Sequence, residues 1–142
     1  MEDRKNWMRI EFPSLSENAR FARTTVAVFA SQLEFTLEEI EDIKDSVDEA
    51  VTNSIVHGYQ NEPELIIVEA SHDGKTLTII IEDFGKGFSP DEDEESEPET
   101  KMDHLGSGIL WMKECMDKVE IISEKEKGTK VIMEKTPKTA MY

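Results

Sequence analysis

Two consecutive stretches of this chain repeat apolar residues at helical spacing, and each has a single apolar face. In the first, Leu15, Ala19, Ala22, Val26, Phe29, Ala30 and Leu33 recur at steps of three and four, the interval that stacks side chains on one side of an α-helix. The second carries Leu37, Ile40, Ile43, Val47, Ala50, Val51 and Ser54 in the same way. Ser14 precedes Glu17 by three residues and Thr36 precedes Glu39 by three. That is capping-box spacing, so a helix start is expected at each. Glu17, Arg20, Arg23 and Thr24 form the polar face of the first helix, and the second is expected to end near His57 and Gly58. Two one-faced helices must cover something apolar, and a sheet is the natural partner.

The rest of the chain supplies strands. Met8, Ile10 and Phe12 alternate with polar residues before Pro13, which reads as a short strand. Leu65–Ser71 and Thr76–Asp83 are rich in β-branched residues and flank His72-Asp73-Gly74-Lys75, a hairpin signal. The run Ile79-Ile80-Ile81 predicts burial on both faces of its strand. Ser89–Asp103 is crowded with Asp and Glu without periodicity and is expected to be a loop. Gly106–Met116 reads as a third helix. Val119–Ser123 and Thr129–Glu134 read as a closing hairpin, and residues after Pro137 are expected to fray. The order predicts one domain over 1–142, with its core between about 8 and 135. It is an α/β, two-layer sandwich: a mixed, mostly antiparallel sheet with helices on one face.

Composition narrows the partners. The formal net charge is -16, with 34% charged residues; phosphates would be repelled, so direct binding to nucleic acid is not expected. No apolar run approaches the ~20 residues that span a bilayer, and one cysteine, Cys115, suits a reducing compartment. A cytoplasmic protein without a membrane partner is expected.

Three groups of residues could carry chemistry. Glu49, Asn53 and His57 recur every four residues and form one polar stripe on the second helix. By spacing alone this is either a solvated face or one wall of a phosphate site. In the second case the Glu49 carboxylate can take a proton, and the Asn53 amide oxygen can ligate magnesium, a hard cation that shares its oxygens with nucleotide phosphates. Asp83 closes a strand and opens Asp83-Phe84-Gly85-Lys86-Gly87-Phe88, where it is well placed to accept from an exocyclic amino group. Leu105-Gly106-Ser107-Gly108 places a second glycine pair at a helix start, where N–H groups favour phosphate. Each glycine pair alone is a weak signal; the three groups in this order are a stronger one.

Taken together, Glu49-Ala50-Val51-Thr52-Asn53-Ser54-Ile55-Val56-His57-Gly58-Tyr59 and the two glycine turns resemble the GHKL ATPase superfamily, which includes gyrase, Hsp90, histidine kinases and MutL. The form of the first motif is similar to that of bacterial anti-sigma factor serine kinases, sporulation-type members first and RsbW-type stress-response members next. Phe21-Ala22-Arg23, Trp111-Met112, Met116-Asp117-Lys118-Val119 and Gly128-Thr129 extend the likeness over roughly Met8 to Lys135. The resemblance implies a Bergerat-type fold, ATP and Mg2+ as cofactors, and a homodimer. It also implies two protein partners, a sigma factor and an anti-sigma factor antagonist whose serine is phosphorylated. Residue by residue it implies Glu49 as general base, Asn53 on magnesium, and Asp83 on the adenine amino group with Thr129 nearby. Gly85, Gly87, Gly106 and Gly108 would shape the pocket, and Arg23, exposed on the first helix, would contact both protein partners.

The sequence departs from the family in the segment before the second glycine box. His104 stands where the family has an arginine aimed at phosphate, and a neutral imidazole stabilises transferring charge less than a guanidinium does. Pro98-Glu99-Thr100-Lys101 is read as a remnant of the lid, which spans about 89–104, leaving Lys101 as the phosphate-facing cation. These departures bear on transfer efficiency more than on nucleotide binding. They leave open a second class of function, a nucleotide-binding anti-sigma module with weak or no kinase activity.

Overall fold

The computed structural model describes residues 4–58, 62–87 and 108–141. Five strands, β1 (Asn6–Pro13), β2 (Leu65–His72), β3 (Leu77–Asp83), β4 (Lys118–Glu124) and β5 (Gly128–Lys135), form one sheet in the order β1-β2-β3-β5-β4. Every neighbouring pair is antiparallel. The mixed component expected from the sequence is therefore absent among the described residues. Helices α1 (Ser16–Ala30) and α2 (Leu37–Asn53) follow β1, and α3 covers 108–115 in the described chain.

One face of the sheet and the three helices share a single core. Ile66, Val68 and Ala70 of β2, Leu77, Ile79 and Ile81 of β3, and Val131 and Met133 of β5 point inward. They meet Ala22, Val26 and Phe29 of α1, Ile43, Val47, Ala50 and Val51 of α2, and Met112 and Cys115 of α3. This is the expected sandwich, with the helices on one face. β3 alternates strictly, however, with Ile79 and Ile81 buried and Ile80 half-buried. Among the described residues the isoleucine run does not mark a strand covered on both faces; the helix layer lies on one side. The other face carries paired charges, including Arg9–Glu69 at 2.9 Å and Lys130–Glu82 at 3.9 Å, and leaves Trp7 and Ile122 about half exposed.

Local chemistry accounts for the element ends. Thr36 caps α2 with a complete capping box: its hydroxyl accepts from Glu39 N–H at 3.1 Å, and Glu39 Oε1 accepts from Thr36 N–H at 3.0 Å. The corresponding box at Ser14 does not form. The N-cap of α1 is Leu15, without a side-chain bond. Ser14 is buried instead and bonds to the segment before β2, donating to Glu62 O at 3.1 Å and accepting from Glu64 N–H at 2.8 Å. Asp73 turns the β2–β3 hairpin, accepting from Lys75 and Thr76 N–H; those bonds hold its carboxyl below the usual range. Residues 138–141, after Pro137, do not fray. Lys138–Met141 form a 3-10 turn, anchored by Lys138 N–H on Glu39 Oε2 at 3.2 Å and Thr139 Oγ1 on Glu34 O at 2.9 Å. Glu39 is 1% exposed, so one buried carboxylate ties the helix start to the C-terminal segment.

Candidate functional site

The polar stripe of α2 ends where the helix changes type. Glu49 and Asn53 lie in the last turns of α2, both half-buried. From Ser54 to Gly58 the backbone continues as a π-turn, a rare form that concentrates at functional positions. His57, the last member of the stripe, lies in this π-turn and is exposed, whereas Glu49 and Asn53 are half-buried.

Glu49 faces α3. A Cβ built on Gly108, in the first described turn of that helix, would lie 1.9 Å from Glu49 Oε1 and 2.6 Å from its Cδ. Only a glycine lets the start of α3 sit against this carboxylate. The structure thus brings together two residues separated by more than fifty positions, one from each motif read in the sequence.

Asp83 forms a second centre at the inner end of β3. It is 3% exposed. Its Oδ2 accepts from Ser54 Oγ at 2.7 Å, and its Oδ1 accepts from Gly85 N–H at 3.0 Å. The backbone N–H of Thr129, its neighbour across the β3–β5 pair, adds a third bond. Burial pushes the Asp83 carboxyl up, and these three bonds act against that shift. The Thr129 hydroxyl pairs with Ser123 Oγ at 2.8 Å.

The turn after Asp83 is fixed by close backbone packing. Gly87 and Gly128 both have positive φ, +59° and +106°. A Cβ on Gly87 would meet Glu124 O at 2.1 Å; one on Gly128 would meet Asp83 O at 2.1 Å. Glu126 N–H donates to Lys86 O at 2.5 Å. The loop 84–87 and the β4–β5 turn are therefore pressed together, and glycine is needed on both sides of the contact.

Ser54 and Gly128 were not among the site residues expected from sequence. Ser54 was visible as a polar residue within an apolar stripe, directly after Asn53; Gly128 was visible as the glycine of a hairpin turn. Gly106, Lys101, His104 and the acidic segment 89–104 lie outside the described residues.

Arg23 lies apart from this centre, on α1. It does not project freely as expected. Its Nη1 donates to Asp48 Oδ2 at 2.8 Å, with both side chains about one-third exposed. Asp48 immediately precedes Glu49, so the pair links α1 to the helix that carries the site.

Known proteins are similar to this chain in sequence and in fold. The histidine kinase-like ATPase domain family matches residues 12–135. An anti-sigma F factor of Clostridium kluyveri is 45% identical over 134 residues, covering 92% of this chain and 94% of that protein. Those of Clostridium perfringens and Oceanobacillus iheyensis are 45% and 44% identical, with 94% and 92% of this chain covered and 99% and 92% of theirs. Among solved structures, the RsbU and RsbW domains of a Mycobacterium tuberculosis protein superpose with a TM-score of 0.66 at 17% identity, over 93% of this chain and 32% of that one. The histidine kinase domain of an Erythrobacter litoralis blue-light activated kinase gives 0.52 at 20% identity, over 72% and 46%. At those identities the two structures speak for the fold alone. The sequence matches, spanning nearly the whole length of both partners in each comparison, go further: the chain belongs to the histidine kinase-like ATPase domain family and, within it, to the anti-sigma F factors.

Proposed function

We propose that this protein is a cytoplasmic anti-sigma factor. It binds and sequesters a sporulation-type sigma factor and, with Mg-ATP, phosphorylates a serine of its anti-sigma antagonist. The observation that carries this reading is the 45% identity to proteins named anti-sigma F factor over 94% of the chain. The described residues fit a nucleotide: a buried carboxylate at Asp83, and a Glu49 carboxylate set directly against Gly108 at the start of α3.

In this proposal Mg-ATP supplies the transferable phosphoryl group and the metal that offsets its charge. Asn53 holds the metal through its amide oxygen. Asp83 accepts from the adenine amino group, and Thr129 fixes Asp83 from the neighbouring strand. Gly85 and Gly106 would leave room for the nucleotide, while Gly87 and Gly108 shape the pocket by letting the β4–β5 turn and the Glu49 carboxylate pack close. Glu49 takes the proton of the substrate serine hydroxyl as general base. Lys101 and His104, outside the described residues, would be the groups for the phosphates, as the family resemblance implies. Arg23 contacts the sigma factor and the antagonist. The sheet face opposite the helices, with Trp7 and Ile122 exposed, supplies the homodimer interface.

One sequence feature favours a second reading, a nucleotide-binding anti-sigma module with weak or no kinase activity: His104 stands where the family has arginine. A transfer assay with Mg-ATP and the cognate antagonist separates the two. Phosphorylation of the antagonist is expected, with Glu49→Gln abolishing it while ATP binding survives. A wild-type protein that binds ATP and sigma factor yet never modifies an antagonist would leave only the second reading. Arg23→Ala is expected to weaken sigma binding at unchanged nucleotide affinity, and unaltered sigma affinity would remove Arg23 from the interface.

A further inference from the structure

Ser54 follows Asn53 directly and opens the π-turn. It is 6% exposed, and its hydroxyl donates across 29 positions of sequence to Asp83 Oδ2. The other two donors to this carboxylate, Gly85 and Thr129 N–H, belong to the main chain. An ionised carboxylate offers about four acceptor positions. Among the described residues three are filled, which leaves one for a ligand. Of the three donors, only the Ser54 hydroxyl comes from a side chain, and only it ties Asp83 to the helix that carries Glu49 and Asn53.

That arrangement bears on which base the site accepts. A carboxylate held on both oxygens is an acceptor only, suited to an amino group. A purine with a carbonyl in place of that amino group would set two acceptors against each other, in a place with little water to separate them. We propose that Ser54 is a specificity-determining positioning residue, whose hydroxyl holds Asp83 so that its remaining acceptor position selects an adenine base over a purine carrying a carbonyl at the same place. The inference rests on the reading of Asp83 as the base-contacting group. Without the hydroxyl, Oδ2 sits in a buried site with no partner from α2. The carboxyl can then turn, or hold a proton and donate it to a carbonyl, and either change erodes the preference.

Titration calorimetry with ATP and with ITP tests this on the full chain, using wild type, Ser54→Ala, Ser54→Cys and Asp83→Asn, with far-ultraviolet circular dichroism as the check on folding. Loss of a hydrogen bond to a charged group is expected to weaken ATP binding by Ser54→Ala about tenfold. ITP binding should fall less, so that the ATP-over-ITP ratio shrinks at least about threefold. Ser54→Cys, of similar size and a weaker donor, should give an intermediate ratio, and it carries the test alone if Ser54→Ala does not fold. A wild-type ratio in the folded Ser54 variants overturns the inference, whatever happens to overall affinity, because a merely structural role would move both nucleotides together. The Asp83→Asn arm keeps the two ideas apart. If that variant retains the wild-type ratio, Asp83 does not read the base; if it loses the ratio while Ser54→Ala keeps it, only the role of Ser54 fails.

Discussion

Gly108→Ala should separate catalysis from stability. A Cβ at this position would lie 1.9 Å from Glu49 Oε1. Ordinary contact needs about 3.4 Å or more, so the carboxylate must retreat by about 1.5 Å. The obstructing atom is the far end of a flexible side chain, and Gly108 has no positive φ to forbid a substituent. The stability cost is thus limited to moving Glu49 off its preferred rotamer, about 0.5–1.5 kcal/mol. Replacing glycine by a better helix former offsets part of that, up to about 1 kcal/mol. The melting temperature should move by about 3 °C or less. Transfer should suffer far more, since a displacement of about 1 Å in a reacting group can cost on the order of a hundredfold. Two measurements check this. The first is the initial rate of phosphate transfer to the antagonist, expected to fall by about two orders of magnitude. The second is a double-mutant cycle in urea with Glu49→Ala, where the clash is gone and Gly108→Ala should become neutral or stabilising. A wild-type transfer rate in Gly108→Ala, or stabilities that add with no coupling to Glu49, would refute the placement of this carboxylate against α3.

Gly128→Ala is a contrasting case. Its φ is +106° and its Cβ would meet backbone atoms, Asp83 O at 2.1 Å and Phe84 Cα at 2.7 Å, which cannot swing aside. A loss of about 2–4 kcal/mol in urea unfolding is expected, together with weakened ATP binding as the end of β3 shifts. Thr36→Ala removes the cap of α2 and should cost about 1 kcal/mol, read as a lower urea midpoint at unchanged slope. Cys115 is 3% exposed, and burial, with Asp42 nearby, pushes its thiol up to about 11 from an ordinary 9.0. A thiol reagent should label it only on unfolding. Because the folded state holds this proton more tightly, its contribution to stability is complete below about pH 9 and is lost as the pH rises toward 11. Cys115→Ala should flatten that part of the pH profile, and an unchanged slope would exclude the thiol as its source.

Much of this architecture was legible from the chain because it depends on short-range periodicity. The stripes of α1 and α2, the capping box at Thr36 and the Asp73-Gly74 hairpin each involve residues within a few positions of one another, and each formed. The three groups proposed for chemistry were also visible as patterns, since Glu49 and Asn53 stand one helical turn apart and Gly85 and Gly87 follow Asp83 directly. Errors arose where a local signal had a distant competitor. Ser14 has the spacing of a cap, yet its hydroxyl bonds to residues 62–64 because β1 lies beside that segment. The isoleucines of β3 allowed burial on both faces, but among the described residues one helix layer covers one face of the sheet. The residues after Pro137 looked free until Glu39, 99 positions earlier, supplied an acceptor for Lys138 N–H.

The sequence by itself determined which segments are helices and strands, that they form two layers, and which residues carry the nucleotide motifs. Tertiary structure alone decided what those residues touch. Packing α2 on the sheet carries Ser54 to Asp83, the β3–β5 pairing sets Thr129 and Gly128 against the same strand end, and the start of α3 closes on Glu49. Periodicity is a property of neighbours in the chain, and these contacts join positions 29 to 59 residues apart. Only the burial of a shared core holds such positions together, and with it the geometry that the proposed chemistry requires.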